Sequence, residues 1–244
     1  MNDKLVVIHQ PDFIPYIGFF DRLLKADSYV VLDNVQYVRG NRDHWTNRDK
    51  IKTQKGEKWI TVSVKKEHRE IKINEVILAE EDEWRNRCKN LLRENYFRAE
   101  YYDEIIPYVE KLFDYQCERL MDFNLNIIST INKLLGINIE VLLASDIEAQ
   151  GHKDELLIDI MRKLGQTRYL SGLGAKDYCD EELYKKNGIE IIWQNFEHPV
   201  YPQQFGEFVP YLSVIDLLFN CGIEGSKRIL KGENRYGTEQ CTNQ

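Results

Sequence analysis

Short apolar runs alternate with stretches of helical spacing over most of the chain. Lys4 to Ile8, Ser28 to Leu32, Ile139 to Leu143, Arg168 to Leu170 and Ile189 to Trp193 are too brief for helices and predict buried strands. Between them the spacing predicts helices over Gly18 to Ala26, Glu81 to Tyr96, Tyr102 to Phe113, Cys117 to Leu135, Lys153 to Leu164 and Ala175 to Lys186. In the Cys117 to Leu135 segment, Leu120, Phe123, Ile127, Ile128, Ile131, Leu134 and Leu135 share one face, and Gly136 is a suitable terminator. The opening strand, helix and strand make a compact βαβ unit, so their strands are expected to be parallel with a right-handed crossover. The five strands together predict an α/β fold with a mainly parallel central sheet flanked by helices.

Two regions break the alternation. Asn34 to Gly56 is polar and aromatic and reads as a loop too long to be a mere connector. Trp59 to Val64 and Glu70 to Leu78 then read as a β-hairpin, followed by the helical insertion at Glu81 to Leu135. After Trp193 the chain turns irregular through Pro199, Pro202 and Pro210 and ends in a short apolar helix, Ser213 to Phe219. The expected organisation is one domain over residues 1–224 with a polar tail over 225–244.

The balance of residue types changes this picture only by exclusion. With 43% hydrophobic and 30% charged residues the chain is an ordinary globular one, and its net charge of -7 argues against a general nucleic-acid binder. Only four apolar residues follow Asp3 and Lys4, which is short of a signal peptide, and no apolar run is long enough to cross a bilayer. Cys88, Cys117, Cys179, Cys221 and Cys241 are widely spaced, and the five histidines show no ligand spacing, so neither disulfides nor a metal site are expected. A cytoplasmic protein that is not membrane-integral is the expectation.

Four segments carry candidate chemistry. His9 and Gln10 leave the first strand at the carboxyl edge where open α/β sheets bind ligands, and the backbone N–H groups near Gly18 are candidate anion donors. Asp33, ending the next strand, is a candidate to orient His9 as the proton-transfer group. Gln36, Tyr37, Trp45, Asn47 and Arg48 lie in the basic, aromatic loop with Arg39, Arg42 and Lys50, suited to a phosphate or carboxylate and to a sugar or base. A solvated charged loop is the plain alternative. Ser171, Gly172 and Lys176 form a glycine-containing turn that either cradles an anion or only packs tightly. Tyr201, Gln203 and Asn220 close the list of candidate contacts, while Ser213 and Asp216 fit a capping box better than catalysis.

These segments, in this order, resemble the WbqC-like family of bacterial proteins, found among genes for O-antigen and other surface polysaccharides. The resemblance rests on His9-Gln10-Pro11, Pro15, Gly18, Asp33, Val35-Gln36-Tyr37, Asn47-Arg48, Ser171-Gly172, Tyr201, Gln203, Pro210, Ser213 and Asp216 to Asn220. The link from Tyr37 to Trp45 is longer than the family usually keeps, so Arg39 and Arg42 carry less weight than Arg48. The resemblance implies an aminoacyl transferase, glycyl in the family's suggested role, or another acyl transferase acting on a sugar intermediate. The first strand, His loop and helix are also similar to nucleotidyltransferase-like folds, although the usual paired His motif is missing. The donor, ATP-activated or an acyl thioester, stays open, as does the oligomeric state. The implied partner is a small anionic nucleotide-linked or lipid-linked sugar, and the alternative is a non-catalytic protein binding nucleotide sugars or partner enzymes.

Overall fold

The computed structural model describes residues 3–38, 44–65 and 70–233. Arg39, Arg42, His68, Cys241 and the tail beyond residue 233 lie outside them.

The strands are β1 (Leu5–His9), β2 (Ser28–Val31), β3 (Arg48–Thr53), β4 (Gly56–Thr61), β5 (Glu140–Leu143), β6 (Arg168–Ser171) and β7 (Glu190–Trp193). The helices are α1 (Ile17–Lys25), α2 (Glu83–Tyr96), α3 (Tyr102–Asp114), α4 (Leu120–Leu135), α5 (Ala144–Ile147), α6 (Asp154–Leu164), α7 (Glu181–Lys186) and α8 (Val214–Leu230). Five strands form one sheet in the order β5-β2-β1-β6-β7, and every pairing in it is parallel.

Period-two alternation explains why this sheet is covered on both faces. Val7, Tyr29, Val31 and Leu170 point into one apolar cluster with α1, α4 and α8, whereas Val6, Ile8, Val30 and Tyr169 point into another with α6 and Tyr184 of α7. The order matters for function. From β1 the chain builds outward through β2 to β5, then returns to place β6 on the other side of β1. Connections from β1 and β6 therefore diverge, and the crevice at their carboxyl ends is the topological switch point of the sheet.

Several sequence expectations need correction. The hairpin is β3 with β4, antiparallel with Arg48 opposite Thr61, and not Trp59 to Val64 with Glu70 to Leu78. Strand β3 escaped notice because Arg48, Asp49, Lys50 and Lys52 hide its pattern, although Asp49 and Lys52 are buried. The later segment is instead a short 3-10 turn, Ile73–Glu75, with isolated bridges such as Val64 to Leu78. The helix expected over Ala175 to Lys186 divides into a 3-10 segment, Leu173–Tyr178, and α7, because Asp180 accepts a hydrogen bond from the Leu183 N–H and starts a new helix. Helix α8 does not stop at Phe219. It bends at Gly222, whose φ of 66° needs glycine, and continues to Leu230, so residues 225–230 are helix and not tail.

Candidate active site

The switch point is built from the ends of three strands and one buried cation. His9 ends β1, Ser171 ends β6, and Gln194 follows β7, its N–H donating to the Ser171 carbonyl. Arg22 approaches from α1. It lies on the buried side of that helix with Phe19 and Leu23, and only 5% of it is exposed. Its Nη1 donates to Oε1 of Gln194 at 3.1 Å, and its guanidinium also bonds the Tyr16 side chain. The Gln194 amide is held from its other end, donating to the Gly18 carbonyl at 2.8 Å and to Asp21 at 2.7 Å.

Asp21 in turn pairs with Lys25 at 2.8 Å, so this carboxylate is already shared. Among the described residues Arg22 makes no ion pair of its own. A buried guanidinium outside any ion pair is costly, even with the Asp12 carboxyl near enough to feel its charge, and an anionic ligand would neutralise it. Gly172 shows how closely the backbone passes: a Cβ there would lie 2.5 Å from Arg22 Nη1. At φ -73° its backbone would accept alanine, so the Gly172→Ala variant should fold. It should displace the guanidinium and weaken sulfate binding about tenfold, a loss of ~1.4 kcal/mol, measurable by calorimetry.

His9 faces the same crevice. Its Nδ1 lies 2.9 Å from the Gln10 carbonyl, and donation there leaves Nε2 as the free lone pair. Burial, reinforced by the Arg22 charge, pushes the imidazole down to about 4, so it is neutral near pH 7. About a third of the side chain, 35%, stays open. The carboxylate beside it is Asp12, 3.6 Å from Nδ1 and beyond hydrogen-bond range. Burial pushes the Asp12 carboxyl up to about 7 while Arg22 opposes the rise, which puts its titration at neutral pH.

The expected pairing of Asp33 with His9 is not formed. Asp33 is 1% exposed and accepts from the Ser145 N–H at 2.9 Å and from Asn74 at 3.1 Å, tying β2 to α5 and to the 3-10 turn. Nor is the start of α1 open to an anion, since the Tyr16 ring lies over Gly18, 2.3 Å from where a Cβ would stand. The Gln10 side chain is taken up by Thr46, its Oε1 accepting from the Thr46 hydroxyl at 3.3 Å.

The remaining candidates lie elsewhere. Tyr37 is buried against His44, Gln36 is exposed in a bridge to Lys72, and the Asn47 amide donates to the Val62 carbonyl at 3.0 Å. Trp45 and Arg48 both meet Trp59, with ring centroids 5.2 Å apart for the first and the guanidinium 4.2 Å from the ring for the second. Lys176 is exposed, 6.0 Å from the Trp193 ring. Tyr201 and Gln203 donate to Asp216 at 2.9 and 2.8 Å, and Asn220 donates to its carbonyl at 2.7 Å. Tyr96 adds a third side-chain donor to the Asp216 carboxylate at 2.8 Å. Ser213 caps α8 by accepting from the Ile215 N–H, but Asp216 does not complete a capping box.

Comparison with known proteins places the chain in a family. The model of the WbqC-like protein family matches residues 10–228. The chain belongs to that family. An uncharacterized protein of Mycobacterium tuberculosis is 33% identical to this WbqC-like chain over 224 residues, covering 91% of the chain and 95% of the relative. No solved structure matches. No helix among the described residues of the WbqC-like chain is long and apolar enough to cross a membrane.

Arg22, Asp12, Tyr16 and Gln194 were not among the residues expected from sequence. The signal for Arg22 was present: a charged residue three positions after Phe19 and one before Leu23, on the apolar side of a helix.

Proposed function

We propose that this WbqC-like chain transfers an aminoacyl or other acyl group to a sugar intermediate of surface-polysaccharide synthesis, with the switch-point crevice as its active site. The observation that carries the reading is Arg22, buried and without an ion-pair partner among the described residues, beside a neutral imidazole. Arg22 binds the phosphate or other anionic group of a nucleotide-linked or lipid-linked substrate. A bound anion offsets the Arg22 charge and removes one of the two causes that depress His9, so the base strengthens when substrate is present.

In the reaction the sugar's amine or hydroxyl attacks the carbonyl carbon of an acyl group activated as a phosphate anhydride or thioester. His9 Nε2 takes the proton from the attacking atom, and the phosphate or thiolate departs with the bonding electrons. Asp12 stabilises the imidazolium that forms.

The test is product detection by mass spectrometry, with ATP plus glycine or a glycyl thioester as donor and a nucleotide-linked amino sugar as acceptor. His9→Gln should cut turnover by about a hundred- to ten-thousand-fold, the usual worth of general acid-base assistance. Its binding of the sugar nucleotide and its melting temperature should stay near wild type. A second reading has its own support, since an imidazole held at about 4 is a weak base: the chain binds the sugar without transforming it. Tight binding with no acylated product under either donor would favour that reading.

A further inference from the structure

We propose that Tyr211 is the platform on which the base of a nucleotide-linked substrate stacks while its phosphate lies on Arg22. The inference rests on the anion site of the proposed function, and narrows the substrate there from a nucleotide-linked or lipid-linked one to a nucleotide-linked one. Tyr211 lies near the end of the loop that runs from Gln194, after β7, to Ser213, the cap of α8. Both ends of that loop set an aromatic ring against Tyr16, Phe196 at 6.1 Å and Tyr211 at 6.0 Å between ring centroids.

Tyr16 connects this aromatic wall to the anion site. Its side chain bonds the Arg22 guanidinium, and its ring lies over Gly18 at the start of α1. Tyr16 therefore bridges Arg22 and Tyr211, and a ribose passing over it would separate a phosphate on the first from a base on the second. Tyr211 itself is 58% exposed. Its ring neighbours, Tyr16 and His198, meet it at 60° and 72°, so among the described residues no ring lies flat against it. No cation of the described residues covers it either.

The backbone adds an independent observation. Tyr211 has a φ of 58°, a left-handed conformation that a bulky side chain rarely takes. The chain just beyond it is fixed: Leu212 is buried, the Ser213 N–H donates to the Lys50 carbonyl at 2.9 Å, and the Val214 N–H donates to the Pro15 carbonyl at 3.0 Å. A position serving the turn alone would suit glycine, so an exposed aromatic ring held in this strained conformation points to a use for the ring. A nucleobase has the matching shape, because it is flat and every base has a π face that stacks on an aromatic side chain. A polyprenyl chain has no flat face and would need an apolar channel, not one exposed ring.

The experiment is calorimetric titration of the full chain with AMP and UMP, and with ribose 5-phosphate, which carries the same phosphate and no base. Both nucleotides should bind about tenfold more tightly than ribose 5-phosphate, the order of one base stacked on one aromatic ring. Tyr211→Gly, which suits the left-handed backbone, should keep the wild-type melting temperature, lose the preference for nucleotides and leave ribose 5-phosphate binding unchanged. Tyr211→Phe should keep the preference, and Arg22→Met should weaken all three probes together. Equal affinities for the three probes, weakened in Arg22→Met, would overturn the stacking role of Tyr211 and leave the anion site standing. A preference that survives Tyr211→Gly would do the same. A preference lost in Tyr211→Gly, with no effect of Arg22→Met on any probe, would instead overturn the anion site and with it the proposed placement of the phosphate. Binding of none of the three would overturn both.

Discussion

Replacing Arg22 by Met should weaken binding of sulfate or of a nucleotide-linked sugar by about a hundredfold, ~2.7 kcal/mol, while costing little stability. The two effects have different origins. Ligand affinity depends on charge-assisted bonds that a thioether cannot make. Stability is a balance: the Gln194 amide loses a donor, but a buried cation without an ion-pair partner among the described residues is removed and replaced by apolar volume. An arginine serving only the scaffold would behave in the opposite way, with a large fall in melting temperature and unchanged binding. The same site should respond to pH. Asp12 titrates at about 7 and gains negative charge as pH rises, opposing an incoming anion. Sulfate, whose own charge is constant, should bind wild type about tenfold more weakly at pH 8 than at pH 6. Asp12→Asn should remove that dependence.

Replacing Asp216 by Ala should lower stability by about 3–5 kcal/mol, which for a chain of this size is a fall in melting temperature of roughly 6–20 °C. Asp216 is fully buried, and its carboxylate gathers Tyr96 from α2, Tyr201 and Gln203 from the loop after β7, and the nearby charge of Lys52 from β3. Truncation strands these donors in the interior. Lys52 itself is 1% exposed and donates to Gln203 at 3.1 Å and to the Glu207 carbonyl, so the network continues into the loop. Burial pushes the Asp216 carboxyl up to about 6 from 3.8. A carboxyl raised on folding gives its full stabilisation below pH 3.8 and loses it as pH rises through 6. The stability advantage of wild type over Asp216→Asn should accordingly shrink between pH 4 and pH 7 in urea titrations. A variant that keeps its melting temperature but loses turnover would make Asp216 a catalytic group instead.

The sheet was legible because its strands are apolar on both faces, and such runs stand out from amphipathic helices such as α6. The position of His9 at the carboxyl end of β1 followed from the same pattern. Strand β3 was not legible, since two of its charged residues, Asp49 and Lys52, are buried, and the partners of Lys52, Gln203 and Tyr96, lie far away in sequence. The same limit applied to the site. Tyr201 and Gln203 looked like cleft residues because they are polar groups in a loop, and only the fold shows that their hydrogen bonds close on Asp216. Arg22 stands on the apolar side of its helix in the sequence, but only the fold brings Gln194 after β7 and Gly172 after β6 against it. Asp33 left its expected place beside His9 for a similar reason: it meets a helix start more than a hundred residues downstream, at Ser145.

On the proposed function, the crevice between β1 and β6 holds an anion on Arg22. A crystal of the chain soaked in sodium tungstate tests it most directly, because tungsten scatters strongly and carries the charge of sulfate. An anomalous peak is expected within hydrogen-bond distance of the Arg22 guanidinium, beside His9 and Gly172, and should disappear in Arg22→Met. A peak confined to Arg48, Lys58 or Lys176, with none at Arg22, would contradict it.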